Sequence, residues 1–245
     1  MSTQQTLPKV IFAHRRPAVR SSSIRANRLP VPREQVFRTE SYTYEVVKRI
    51  FDLCFAFSLL PIAVPVMALI GIAIAFTSGW PLIYSQRRVG RYGRPFTIWK
   101  FRTMYKNGER ILDTHLKHNP KARTEWRDSH KLLDDPRIIP LGKILRQTSL
   151  DEIPQILNVL AGNMSFVGPR PIVQEEVSKY ADRFACYLAA MPGITGLWQV
   201  SGRCNLPYET RVILDERYVR RWTMREDIRI ILRTPGAVFR RSGAF

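Results

Sequence analysis

The sequence predicts a mostly helical α+β protein in which one membrane-active segment precedes a globular domain with a small β-hairpin. Three observations carry this. Residues 53–76 are almost wholly apolar, and no charge falls between Asp52 and Arg87. Residues 82–86 and 96–101 read as two short strands on either side of Gly90 and Gly93, which permit a tight reversal. Most of the remaining chain repeats its apolar residues at helical spacing.

Residues 1–42 are polar, rich in cations such as Lys9, Arg15, Arg16, Arg20 and Arg25, and interrupted by Pro8, Pro17, Pro30 and Pro32. Such a segment buries too little apolar surface to offset its ordering entropy, so a disordered basic tail is expected. Its cations suit anionic lipid headgroups; a tail with no specific role fits equally well. No short hydrophobic core with a small-residue cleavage site stands near the N-terminus, so no signal peptide is expected.

Residues 43–78 form the membrane segment. The two dozen apolar residues within it would extend roughly 36 Å as a helix, enough for a bilayer core. Pro61 and Pro65 sit in its middle, where each removes a backbone donor. Both flanks are basic, with Lys48 and Arg49 before it and Arg87, Arg88, Arg91 and Arg94 after it. The positive-inside rule draws both flanks to one side of the membrane, which suits a helix that enters, bends near Pro65 and returns. A single span with a proline kink is the competing reading.

Residues 79–245 form the globular domain. After the hairpin, residues 107–118 are helical in pattern, and residues 122–134 are charged and ambiguous. Residues 142–160 carry apolar residues at helical spacing in two pieces. Residues 208–222 form a helix, and Thr223 with Glu226 makes a capping box for a last helix that ends before Pro235. That helix is amphipathic and basic, fit either for a membrane interface or for packing on the core.

The net charge of +19 calls for an anionic partner: nucleic acid, a lipid surface or a phosphorylated substrate. A membrane segment favours the last two, and no recognised nucleic-acid motif is present. Cys54, Cys186 and Cys204 lie far apart without a CxxC pair, which suggests neither disulfides nor zinc. His115 and His118 share a helical face beside Lys117 and Asn119, the pattern of a solvated face rather than a metal site.

The acidic pair Asp151-Glu152 stands out in so basic a chain. Ser149 and Glu152 have capping-box spacing at a helix start, with Pro154 allowed in the first turn, and acids there favour the helix dipole without any catalytic role. The same geometry allows chemistry. A helix N-terminus among arginines attracts phosphate, one carboxylate can attack phosphorus, and its neighbour can hold Mg²⁺. Two further blocks, residues 165–171 and 192–203, place glycine and proline around Arg170 and around a polar, aromatic strip. Each reads as a binding cradle or as a tight structural turn.

Five blocks together carry a resemblance: Tyr84-Ser85-Gln86-Arg87-Arg88-Val89-Gly90, Lys100-Phe101-Arg102-Thr103-Met104, Thr148-Ser149-Leu150-Asp151-Glu152-Ile153-Pro154-Gln155, Gly168-Pro169-Arg170-Pro171, and residues 192–203. In this order, behind a membrane segment, the chain from about residue 48 to residue 245 resembles the bacterial sugar transferases, the monotopic phosphoglycosyl transferases. The resemblance implies a re-entrant membrane helix bent at Pro65 and a catalytic domain on the cytoplasmic face of the bacterial inner membrane. It implies an enzyme that passes hexose-1-phosphate from a UDP-sugar to a polyprenyl phosphate such as undecaprenyl phosphate. The first step of exopolysaccharide or related glycan assembly would follow, with UMP released. Asp151 would be the nucleophile that forms a phosphosugar-aspartyl intermediate, and Glu152 a Mg²⁺ ligand. Lys100, Arg102, Arg146, Arg170 and Arg203 would handle phosphate, with Asp215 a polar partner in the site. Family members commonly carry Ser-Pro at the bend, whereas this chain has Val64-Pro65, leaving Ser58 or another neighbour to satisfy the freed backbone. UDP-glucose and UDP-galactose are the leading donors. The sequence leaves the oligomeric state open, a homo-oligomer included.

The rival reading is a basic, membrane-anchored binding or scaffold protein in which Asp151 and Glu152 only cap a helix. It leaves the glycine-proline blocks unexplained.

Overall fold

The structure is a computed structural model that describes residues 42–129, 132–202 and 206–239. The expected basic tail, up to residue 41, lies outside the described residues.

Helix α1 (Tyr42–Ser78) has 37 residues and runs unbroken through Pro61 and Pro65. At about 1.5 Å per residue such a helix measures roughly 55 Å if straight, well beyond the ~30 Å hydrocarbon core of a bilayer. It is long and apolar enough to cross a membrane, with mean hydropathy 2.6. Only 17% of its apolar 18-residue window is buried, unlike the wrapped core helix of a globular domain. Phe57, Ile62, Val64, Leu69, Ile72 and Phe76 are all exposed on it. The prolines deprive the Phe57 and Pro61 carbonyls of their α-helical donors. Ser58 does not replace them, since its hydroxyl donates to the Phe55 carbonyl at 2.8 Å.

Both ends of α1 are fastened to the same domain. Near its start, Lys48 lies 2.7 Å from Asp227, with both side chains buried. Arg49 donates to the carbonyls of Val159 and Leu160 at 2.6 and 2.8 Å. The Asp52 carboxylate accepts from the Ser165 hydroxyl at 2.9 Å and the Phe166 amide at 3.0 Å. At its end, Arg102 donates to the carbonyls of Ser78 and Gly79, both at 2.6 Å. Ile74 packs there on Phe101 and Leu145. Several basic flanking residues, read from sequence as setting the side of the membrane, are therefore engaged within the protein. Lys48 is 2% exposed, and Arg91 pairs with Glu45 at 3.0 Å.

Strands β1 (Ile83–Val89) and β2 (Pro95–Phe101) form the expected hairpin, with Tyr84 opposite Lys100 and Arg88 opposite Phe96. The reversal uses left-handed backbone at Tyr92 and Gly93. Helices α2 (Gly108–His118) and α3 (Pro120–Ser129) pack on each other over Leu112, Leu116, Ala122 and Trp126. Next come α4 (Pro140–Thr148), a 3-10 helix (Leu150–Gln155) and α5 (Ile156–Leu160). Strands β3 (Ser165–Val167) and β4 (Gly193–Thr195) pair in parallel, joined through a kinked 3-10 segment (Gln174–Arg183) and α6 (Phe184–Ala189). Helices α7 (Leu197–Ser201), α8 (Tyr208–Arg221) and α9 (Met224–Phe239) follow. The main core joins Tyr44 and Ala56 of α1 to Val159, Phe166, Tyr218 and Ile230.

Two local expectations change. Helix α9 does not stop before Pro235 but continues to Phe239, because a proline forfeits one rung without forbidding the next turn when the apolar face stays packed. Its capping residue behaves as expected, with the Thr223 hydroxyl accepting from the Glu226 amide at 3.2 Å. The Ser149–Glu152 capping box does not form. Ser149 is left-handed, at φ 57°, and ends α4 with its amide bonded to the Arg146 carbonyl at 3.1 Å, while Glu152 is drawn to Lys100.

Asp227 also accepts from Tyr218 at 2.8 Å and Trp222 at 2.9 Å, so Lys48 neutralises a carboxylate with no access to water. Replacing Lys48 by Met leaves that charge buried and is expected to cost about 3–5 kcal/mol. Denaturant unfolding in detergent checks this. The double variant Lys48→Met/Asp227→Leu is expected not to regain full stability, because Trp222 loses its acceptor and Tyr218 keeps only the longer bond to the Val167 carbonyl, at 3.1 Å.

Candidate active site

Alternation along the hairpin puts Gln86 and Arg88 of β1 on one face with Ile98 and Lys100 of β2. This face meets the 3-10 helix at residues 150–155. Asn158, fully buried, fixes the meeting: its amide donates to the Thr97 carbonyl at 2.7 Å and its side-chain oxygen accepts from the Trp99 amide at 3.2 Å. The edge of β2 is thus satisfied by a side chain rather than by another strand. Lys100 then reaches Glu152 at 2.5 Å. Arg88, Lys100, Glu152, Gln155 and Arg170 line a cleft closed by the backbone at Gly193 and Ile194.

Asp151 stands beside Glu152 and is 9% exposed. Burial, then the neighbouring Glu152 carboxylate, pushes its pKa up to about 6, while Lys100, Arg146 and Arg170 pull the other way. A carboxylate so placed is poorly solvated yet still largely ionised near neutral pH, the condition for an oxygen nucleophile. Arg146 is held in place by a 2.8 Å bond from Nε to the Thr103 hydroxyl.

The two glycine-proline blocks prove to be one construction. The Gly168 amide donates to the Thr195 carbonyl at 2.9 Å, and the Gly193 amide to the Pro169 carbonyl at 2.8 Å. The backbones approach so closely that a Cβ on Gly168 would lie 2.2 Å from the Met191 carbonyl oxygen, and one on Gly196 would lie 2.2 Å from the Gly168 oxygen. Arg170 leaves this crossing toward the cleft. Its guanidinium lies 5.9 Å from the Trp198 ring centre, and that of Arg211 lies 5.0 Å from it. Arg211 also donates to the Arg170 carbonyl at 3.4 Å and lies 3.9 Å from Asp215. Asp215 accepts from the Tyr180 hydroxyl at 2.7 Å, and burial lifts its pKa to about 7.

The structure thus gathers Asp151, Glu152, Lys100, Arg146 and Arg170. Asp215 does not line the cleft; it is buried behind Arg211 and supports Arg170 through it. Arg102 is spent on the end of α1, although its Nε and Nη1 find no partner among the described residues. Arg203 lies outside the described residues. Three residues escaped the sequence reading as site residues: Arg88, Gln155 and Asn158. Arg88 was within reach of it, since two-residue alternation and the hairpin pairing put it on the face of Lys100.

Among the described residues no cluster of three or more His, Cys, Asp or Glu side chains could hold a metal ion. Mg²⁺ does not need one, because it keeps waters and takes one or two carboxylates together with substrate phosphates. Glu152 on the wall of the cationic cleft, with Asp151 next to it in the chain, fits that mode, and the pair does not fit a protein-only metal cage.

The sequence profile described as bacterial sugar transferase matches residues 43–241. This chain belongs to that family. The matched stretch spans α1, the hairpin, the acidic pair and the glycine-proline crossing. Among similar bacterial sugar transferases is the undecaprenyl-phosphate galactose phosphotransferase of Salmonella typhimurium, 47% identical over 199 residues, which are 81% of this chain and 42% of that protein. The exopolysaccharide production protein ExoY of Sinorhizobium fredii is 43% identical over 200 residues, 82% of this chain and 88% of that protein. The UDP-glucose:undecaprenyl-phosphate glucose-1-phosphate transferase of Escherichia coli is 35% identical over 197 residues, 77% of this chain and 39% of that protein. The chain therefore matches less than half the length of the first and third of these relatives.

Gly168→Ala should disrupt the crossing that aims Arg170. Overpacking of this kind costs about 1–3 kcal/mol or more, and here it falls on backbone that cannot swing aside. A lowered unfolding midpoint, with loss of whatever activity the unmodified protein shows, is the expected result.

Proposed function

We propose that the protein transfers hexose-1-phosphate from a UDP-hexose to undecaprenyl phosphate, as the first step of exopolysaccharide or related glycan assembly. The observation that carries this is Asp151: a buried carboxylate next to a second carboxylate and within the field of Lys100, Arg146 and Arg170. In the first step an Asp151 carboxylate oxygen attacks the β-phosphorus. The bond from that phosphorus to the bridging oxygen breaks, and UMP leaves with the electron pair. In the second step an oxygen of undecaprenyl phosphate attacks the same phosphorus, the Asp151–phosphorus bond breaks, and the carboxylate is regenerated. Lys100 and the arginines neutralise the charge of the phosphoryl group as it passes, which is the larger part of such catalysis. Glu152 would hold Mg²⁺, which when bound supplies further neutralisation of the diphosphate.

A covalent intermediate lets one site receive a water-borne donor and a lipid acceptor in turn. The acceptor requires a membrane location, and α1 provides for it. A helix that crossed once would place its ends on opposite sides; here Arg49 and Asp52 near one end and Ser78 at the other all bond to one domain. This supports a re-entrant helix bent near Pro65, with the domain on the cytoplasmic face of the inner membrane, where UDP-sugars are made. Galactose is the favoured sugar, because relatives named for galactose transfer, at 42–47% identity, exceed a relative named for glucose transfer, at 35%.

With UDP-galactose, Mg²⁺ and undecaprenyl phosphate, UMP release by Asp151→Asn is expected to fall to background. Full release by that variant would remove the proposed nucleophile.

Asp151 must be ionised to attack. The rate should therefore fall about tenfold per pH unit below the Asp151 midpoint, which lies near pH 6 in the metal-free protein and lower with Mg²⁺ bound, and level off above it. Lys100 favours the ionised form, so Lys100→Met raises the Asp151 pKa and moves the midpoint to higher pH. A pH–rate profile of UMP release in both proteins checks the sign.

A further inference from the structure

The cleft contains two hydrogen-bond donors that the fold leaves unused. Arg88 is anchored by its outer nitrogens, with Nη1 donating to the Pro171 carbonyl at 3.2 Å and Nη2 to the Gln86 side-chain oxygen at 2.6 Å. Its Nε is buried and has no partner among the described residues. Gln155 is 2% exposed, and its side-chain nitrogen is likewise unpartnered. A buried donor without an acceptor costs about 1–3 kcal/mol, so a pair of them on the wall of an open cleft points to a ligand that supplies acceptors.

The charges point the same way. Arg170 is close enough to act electrostatically on both Asp151 and Arg88. The carboxylate nearest Arg88 is Glu176, at 4.0 Å, and Glu176 is shared with Arg211 at 3.5 Å and the Val173 amide at 3.2 Å. Two guanidinium groups are thus brought together with little compensation. Lys100 and Arg170 both act on the nucleophile, so the phosphoryl group bonded to Asp151 belongs with them; Arg88, on the same cleft, lies in the field of Arg170. The next phosphate along belongs with Arg88.

We propose that Arg88 and Gln155 form the subsite for the phosphomonoester that is not transferred: first the phosphate of departing UMP, then the phosphate of the lipid acceptor. The inference rests on the transferase reading above. Displacement at phosphorus is in line, so Asp151 occupies one side of the phosphorus in both steps. The leaving oxygen of UMP and the entering oxygen of undecaprenyl phosphate must then use the same opposite side in turn. A planar arginine fork and a neutral amide donor suit a phosphate monoester without fixing what it is attached to.

The test uses the full chain in detergent, with Arg88→Lys and Gln155→Met as separate variants so that misfolding of one leaves the other informative. Titration with UMP and with uridine measures the phosphate contact apart from the nucleoside. Each variant is expected to weaken UMP about tenfold or more, the loss of a charge-assisted bond, with uridine affinity unchanged. The KM for undecaprenyl phosphate should rise by a comparable factor, and the pH midpoint set by Asp151 should not move. Unchanged UMP affinity in both variants, or equal losses for UMP and uridine, would overturn the subsite. A loss for UMP with no change in the lipid KM would overturn its sharing by the two phosphates. If the unmodified protein binds no UMP at all, the nucleotide-donor reading itself fails, a result separate from any effect of the variants.

Discussion

A carboxylate stripped of most of its water, yet kept ionisable by surrounding cations, is the constraint around which this structure is arranged. Asp151 could be buried alone and become an inert acid, or be exposed and remain a weak, well-solvated base. Burial and the adjacent Glu152 push its pKa up, and Lys100, Arg146 and Arg170 restrain the rise. Each restraining charge comes from a different element: β2, α4 and the turn after β3. The site therefore exists only when those elements are in register. Asn158 sets the 3-10 helix against β2, the left-handed Ser149 turns the chain out of α4, and the glycine crossing fixes the turn that carries Arg170.

The long apolar helix is part of this machinery rather than an appended anchor. Asp52 accepts hydrogen bonds at Ser165 and Phe166, and β3 leads within a few residues to Arg170. The Tyr218 hydroxyl shares its one proton between the Val167 carbonyl, at 3.1 Å, and Asp227, at 2.8 Å, and Asp227 is the partner of Lys48. The strand that launches Arg170 is thus clamped between the long apolar helix α1 and helices α8 and α9. Some of the chain's large positive charge serves this internal work, and some faces the cleft. Its strongly basic balance is a sum of separate local tasks.

Features with a local signature could be read from the sequence. Alternation and paired glycines disclosed the hairpin, helical spacing disclosed α2 and α8, and an acidic pair in a basic chain disclosed the nucleophile candidate. Features made by distant partners could not. Lys48 and Asp227 are 179 residues apart, so Lys48 read as a membrane flank. Strands of three residues, such as β3 and β4, carry no periodicity, and their glycines reveal their purpose only when the opposing backbone is seen. The Ser149–Glu152 spacing suggested a cap because the competing attraction of Lys100, on another element, was not visible. Arg102 was expected at the phosphate and Asp215 in the site; Arg102 bonds to the carbonyls that end α1, and Asp215 lies against Arg211, which bonds to the Arg170 carbonyl, contacts that no local pattern announces.

The central claim is that phosphorus becomes bonded to Asp151 between the two half-reactions. Full-length protein can be mixed with UDP-galactose and Mg²⁺ in the absence of lipid acceptor, quenched in acid and digested for mass spectrometry. The account predicts a mass increase of one hexosyl phosphate, confined to the peptide that contains Asp151 and discharged when undecaprenyl phosphate is added before the quench. Turnover that proceeds with the adduct on another residue, or with no adduct under conditions where UMP is released stoichiometrically, would contradict it.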